Sequence, residues 1–85
     1  MSETLEIRIK RLKMRSMRRG IKEMDLILSA FADRRLVAMD PATLDLYEAL
    51  LNENDQDLYQ WVTGQAAPPA AFAALIGEIA QTFQA

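Results

Sequence analysis

The sequence has no cysteine and no histidine, and these two absences close most of the chemistry a short chain can perform. Without cysteine there is no disulfide framework, no thiolate metal site and no thiol nucleophile. Without histidine the commonest general base and metal ligand is missing. Glycine and proline number three each, so backbone punctuation is scarce and falls at boundaries. No apolar run approaches the roughly 20 residues that span a bilayer; the longest candidates are broken by charge or by Pro68 and Pro69. At the N-terminus, charges alternate with Leu5, Ile7 and Ile9 instead of forming the contiguous apolar core of a secretory signal, and Glu3 and Glu6 argue against a basic presequence. These features predict a cytoplasmic protein with no transmembrane segment. The lack of cysteine is compatible with a reducing compartment and fixes none.

What remains is 85 residues, 51% of them hydrophobic. That is one domain (1–85), near the size at which a single core holds a fold unaided. Helical spacing dominates and strand-like alternation is rare. The pattern predicts an all-α, compact bundle of about five short helices. The first starts at Ser2 or Thr4 and ends at Met17, with Leu5, Ile9 and Leu12 as its stripe. The second spans about Ile21 to Arg34, with Ile21, Met24, Leu28 and Phe31 inward. Asp40-Pro41 opens a third that turns Leu44, Tyr47 and Leu51 inward and ends near Asn52. The acidic run Glu53-Asn54-Asp55-Gln56-Asp57 opens a fourth, with Leu58, Trp61 and Val62, stopping at Gly64. A linker, 65–69, leads to a fifth at about 69–84, striped by Phe72, Ile76, Ile79 and Phe83.

Charge is distributed unevenly. Residues 8–22 hold eight of the ten basic side chains and no acid, whereas residues 36–85 hold seven acids and no Lys or Arg. The expectation is a positive end and a negative end that guide partner choice. A cationic helix can also track phosphates, so a small nucleic-acid-binding regulator is the alternative reading. The next helix carries Glu23, Asp25 and Asp33, and no element offers the side chains of a recognition helix. A solvated or partner-facing basic surface is therefore favoured.

No catalytic constellation is present: the Ser and Thr hydroxyls sit in no recognised motif. Glu53, Asp55 and Asp57 lack the glycine and distal glutamate of a calcium loop, so helix capping and a solvated turn are expected and no metal. Trp61 is expected to fill the core. The segment 18–25 is more unusual. In Arg18-Arg19-Gly20-Ile21-Lys22-Glu23, glycine allows a sharp turn or a close approach. On a continuous helix Glu23 would lie one turn from Arg19, able to pair with it, and Leu26 would be an exposed apolar contact beside Glu23.

Arg19-Gly20-Ile21-Lys22-Glu23 resembles the Arg-Gly-x-x-Glu hallmark of the succinate dehydrogenase assembly factor 2 family. The likeness continues through Asp25, Leu28, Phe31, Leu44, Leu46, Tyr47, Leu50 and Leu51 to Glu53, Asp55, Asp57, Leu58, Tyr59 and Trp61, covering about 18–64. The resemblance implies a five-helix assembly factor, not an enzyme. Such a factor binds the flavoprotein subunit of succinate dehydrogenase, or of fumarate reductase, and promotes covalent attachment of FAD to it. It places Arg19, Gly20 and Glu23 at the partner interface, with Arg18 and Asp25 as secondary candidates, and Leu26 joins them as the exposed contact read from the helical wheel. The FAD would belong to the client, and no stably bound cofactor is expected, since the sequence has no phosphate-cradling glycine loop. Some relatives are also antitoxins paired with a small membrane protein, so an antitoxin-like helical adaptor stays open as a further alternative.

Overall fold

Thr4 begins the first helix by accepting the Ile7 amide on its Oγ1 at 3.2 Å in the computed structural model, which describes residues 3–84. The alternative start at Ser2 lies outside the described residues. Helix α1 is Leu5–Met17 and helix α2 is Lys22–Arg35, the latter passing into a tight 3-10 turn, Leu36–Ala38, that periodicity alone does not separate from it. Helix α3, Pro41–Leu50, starts where the Asp40 carboxylate accepts the Thr43 amide at 3.0 Å and Pro41 fills a position needing no amide. Hydrogen bonds from Thr43, side chain first and backbone second, hold the Asp40 carboxyl below its ordinary range. Helix α4, Asp55–Thr63, is capped by Asn54, whose Oδ1 accepts the Gln56 and Asp57 amides at 2.7 and 3.4 Å. It ends at Gly64, φ 82°, a left-handed turn that a Cβ would strain.

The fifth helix begins later than the sequence suggests. Pro69 is extended, ψ 148°, and leads into a 3-10 turn, Ala70–Phe72; only then does α5, Ala73–Gln84, begin. The described residues are thus all helix, turn and loop, with five α-helices and no strand.

The core forms where the stripes meet. Leu12 of α1, Met24, Leu28 and Phe31 of α2, Leu44, Tyr47 and Leu50 of α3, Leu58 and Val62 of α4, and Leu75, Ile76 and Ile79 of α5 are all buried. Each large side chain so covered contributes roughly 1.5–3 kcal/mol, and no disulfide supplements this packing. Phe31 and Tyr47 meet with ring centroids 5.7 Å apart. Two stripes outrun the surfaces they pack on: Leu5, at the start of α1, is 56% exposed and Phe83, in the last turn of α5, is 49% exposed. Trp61 is only partly buried and lies against Phe72, with centroids 6.3 Å apart, at the border of the core instead of within it.

One polar pair enters this interior. Ser16 is buried, and its hydroxyl lies 2.8 Å from the Leu12 carbonyl and 2.6 Å from the Tyr47 hydroxyl. Ser16 has a single proton and gives it to Leu12, so Tyr47 donates to Ser16 and neither is left unpaired. Burial pushes the Tyr47 phenol up to about 12, against the smaller opposing effect of the Ser16 bond.

Candidate functional site

The Arg-Gly segment is a bend between α1 and α2, and its geometry is fixed from a distance. Helix α1 ends at Met17, and residues 18–21 are not helical. Asp55, the first residue of α4, reaches across this bend. Its Oδ1 accepts the Arg19 Nε at 2.6 Å, and its Oδ2 accepts the Ile21 amide at 3.2 Å and the Gly20 amide more closely. The rest of the Arg19 guanidinium donates to the Leu51 carbonyl at 2.8 Å and the Glu53 carbonyl at 2.9 Å. Both charged side chains are largely covered, 10% exposed for Arg19 and 14% for Asp55. The pair is stabilised because each nitrogen of the Arg19 guanidinium and the amides of residues 19–21 have acceptors, and the carboxylate sits at the positive end of α4. Asp25, in the first turn of α2, reaches back past the N-cap Ile21 and accepts the Arg19 amide.

This arrangement corrects two expectations. Arg19 does not pair with Glu23: the bend at Gly20 breaks the helix, so the spacing of one helical turn does not apply. Asp55 is not part of a solvated acidic turn but the anchor of the Arg-Gly segment. Gly20 does serve a close approach, and the approaching group is Asp55, since a Cβ at position 20 would lie 3.2 Å from its Oδ2. Arg18, Glu23 and Leu26 are exposed, Leu26 by 64%. Glu23 and Leu26 border a shallow groove of about 220 Å³ shared with Phe83 of α5.

The basic run is also partly neutralised. Arg8 donates to Asp45 at 2.6 Å and Glu48 at 3.0 Å, Arg11 donates to Glu48 at 2.8 Å and Glu3 at 2.6 Å, and Arg15 donates to Asn52 at 2.7 Å. Glu48 is the hub. Its hydrogen bond from Arg11 outweighs desolvation and holds its carboxyl below the ordinary range, with Arg8 adding to the effect; hydrogen bonds to Glu3 first and to Glu48 second raise the Arg11 guanidinium. Part of the charge separation expected from the sequence is therefore compensated, because α1 lies with one basic edge on the acids of α3. Lys10, Arg18 and Lys22 stay exposed, with no carboxylate partner among the described residues.

Asp55 and Glu48 are the residues that local pattern does not single out as site-forming. Their partners lie 36 and 37 residues away along the chain. Beyond the family resemblance, which includes Asp55, the sequence signal is bulk complementarity: eight bases early and seven acids late.

Fold and site together define a class, a small all-helical factor that displays a charged bend fixed from behind. The chain belongs to the family described as the flavinator of succinate dehydrogenase, whose model matches residues 10–83. It is similar to the mitochondrial succinate dehydrogenase assembly factor 2 of Candida glabrata, 48% identical over 62 residues, covering 73% of this chain and 40% of that protein. The protein of that name from Scheffersomyces stipitis is 49% identical over 61 residues, covering 72% and 41%. That from Mycosarcoma maydis is 40% identical over 72 residues, covering 85% and 30%. The chain spans about two fifths of the length of the first two. All three names carry the word mitochondrial, which overturns the cytoplasmic location expected from the sequence. That expectation rested on missing signals, and a missing signal fixes no compartment.

Proposed function

We propose that this chain binds the flavoprotein subunit of succinate dehydrogenase, or of fumarate reductase, and promotes covalent attachment of FAD to it. The observation that carries the reading is the family match over residues 10–83, which includes the Arg19-Gly20-Ile21-Lys22-Glu23 segment. The client supplies both the flavin and the side chain that bonds it; no histidine is available among these 85 residues. This chain contributes orientation, holding the client where its reacting groups meet. It is a binding factor and not an enzyme, and it carries no flavin of its own.

Within the site, Arg18, Gly20, Glu23 and Leu26 meet the client. Arg19 and Asp25 position that surface, Arg19 through Asp55. The experiment is co-expression with the flavoprotein subunit, scoring covalent flavin by in-gel fluorescence for wild type, Gly20→Arg and Glu23→Ala. Fluorescence should rise with the wild type and fall with either variant, while circular dichroism shows the variants folded. Equal fluorescence with and without the chain rejects the reading for that client.

A further inference from the structure

Helix α1 carries four large apolar side chains that the fold leaves uncovered: Leu5, two residues before Ile7 and so on the opposite side of the helix, and Ile7, Met14 and Met17, which are 56, 51 and 60% exposed. Ile7 and Met14 are seven residues apart, so they share one side of the helix at a spacing of about 10 Å. They line an open groove of about 520 Å³ whose other walls are Lys10 and four arginines, among them Arg18 and Arg19, with no acid. Of these arginines, Arg11 is committed to Glu48 of α3 and Arg15 to Asn52 just beyond it, as Arg8 outside the groove is to Asp45. Lys10 and Arg18 are not, and they stand three residues beyond Ile7 and four beyond Met14. An apolar pair with one unmatched cation between its members and a second beyond Met14 is thus displayed next to the Arg-Gly bend.

We propose that this outward face of α1 is a docking surface for an acidic segment of the flavoprotein client, one with apolar side chains at its centre. The inference rests on the functional reading above and adds the surface and the chemistry of its partner. Charge decides for a protein partner over nucleic acid. Phosphates would offer nothing to Ile7 and Met14, and the neighbouring arginines already have partners, whereas counterion-driven binding draws on uncompensated charge. A bilayer would require a broader apolar face than three side chains give. A protein segment uses everything present: the flexible thioethers adapt to its apolar side chains, and Lys10 and Arg18 set its register through two carboxylates.

The test uses the whole chain co-expressed with the succinate dehydrogenase flavoprotein subunit. Photoactivatable benzoylphenylalanine replaces Met14 or, as a control, Gln60 on the exposed side of α4. Light should couple the Met14 probe to the subunit and leave the Gln60 probe uncoupled. The pair Lys10→Glu and Arg18→Glu should weaken capture of the subunit about ten-fold or more, with helicity unchanged. Failure to couple at Met14, equal coupling at Gln60, or recovery of nucleic acid in place of the subunit would overturn the surface. Covalent flavin scored in the same cells separates the two readings. Flavin raised without coupling at Met14 removes the surface and leaves the function. Coupling without raised flavin keeps the surface and removes the function.

Discussion

Asp55 and Arg19 form a nearly covered ion pair at 2.6 Å, and the same carboxylate accepts the amides of the two residues that follow Arg19. The bend between α1 and α2 is thereby tied to the N-terminus of α4. The Arg-Gly segment is consequently a surface with a rigid back, and its shape depends on residues outside the segment.

Removing the anchor should be costly. Asp55→Ala strands a covered guanidinium and two amides, and breaking such a pair costs about 3 kcal/mol. For a domain of this size that lowers Tm by about 15 °C. Urea unfolding of wild type and variant measures it; a loss below about 1 kcal/mol would show that water replaces the carboxylate without penalty. Arg19→Ala should fall in the same range, since it leaves Asp55 and two carbonyls short of donors.

The glycines should separate by sign. Gly20→Ala puts a Cβ 3.2 Å from the Asp55 Oδ2, and that oxygen is pinned by the bonds described above, so the variant should lose about 1 kcal/mol despite a less flexible unfolded chain. Gly77→Ala, in α5 with nothing within 4 Å, should gain about 1 kcal/mol from helix propensity. Thermal melts of the two variants check both signs, and a stabilised Gly20→Ala would mean that Asp55 is free to move.

Acid should loosen α1. The Glu48 carboxyl is depressed by its bond from Arg11, so in the folded chain it binds protons less readily than in the unfolded chain. Its contribution is complete above the unfolded value, about 4.3, and is lost as pH falls through the lower folded value. Glu48→Gln should flatten that part of the stability–pH curve while leaving the neutral-pH fold helical. A curve unchanged by the substitution would show that the arginines find other partners.

Alkali should act through Tyr47. Its phenol is raised to about 12 by burial, above the ordinary value of about 10. The stability tied to the neutral phenol is therefore intact below pH about 10 and is lost as pH rises towards 12. Tyr47→Phe should remove this alkaline loss. At neutral pH it should cost only about 1 kcal/mol, because Ser16 keeps its bond to the Leu12 carbonyl. Phenolate absorbance should show one tyrosine titrating together with unfolding.

The helices were legible wherever their determinants are local. Asp40-Pro41, Gly64 and the spacing of Met24, Leu28 and Phe31 each act within a turn or two of chain. The face of Leu26 was legible for the same reason. Leu5 and Phe83 misled, because a stripe shows which side is apolar and not how far the partner helix extends. The Arg-Gly-x-x-Glu segment was visible as a motif, but its anchor was not: no spacing rule connects Arg19 with an aspartate 36 residues on. Nor does composition show that α1 would lay its arginines on Glu48 instead of displaying them all.

The way α1 is attached has a consequence for the order in which the molecule comes apart. Its buried residues are Leu12 and Ser16 alone, with Ile9 partly covered, while the contacts of Arg8, Arg11 and Arg15 with α3 are ionic or polar and part-exposed. Salt weakens such contacts and leaves apolar packing largely intact. Helix α1 should therefore behave as the outermost opening unit, with amides that exchange before those of α2 and faster as ionic strength rises. Exchange of the α2 amides unchanged by salt while those of α1 speed up would mark α1 as an arm that opens by itself. Its pivot is the bend clamped by Asp55.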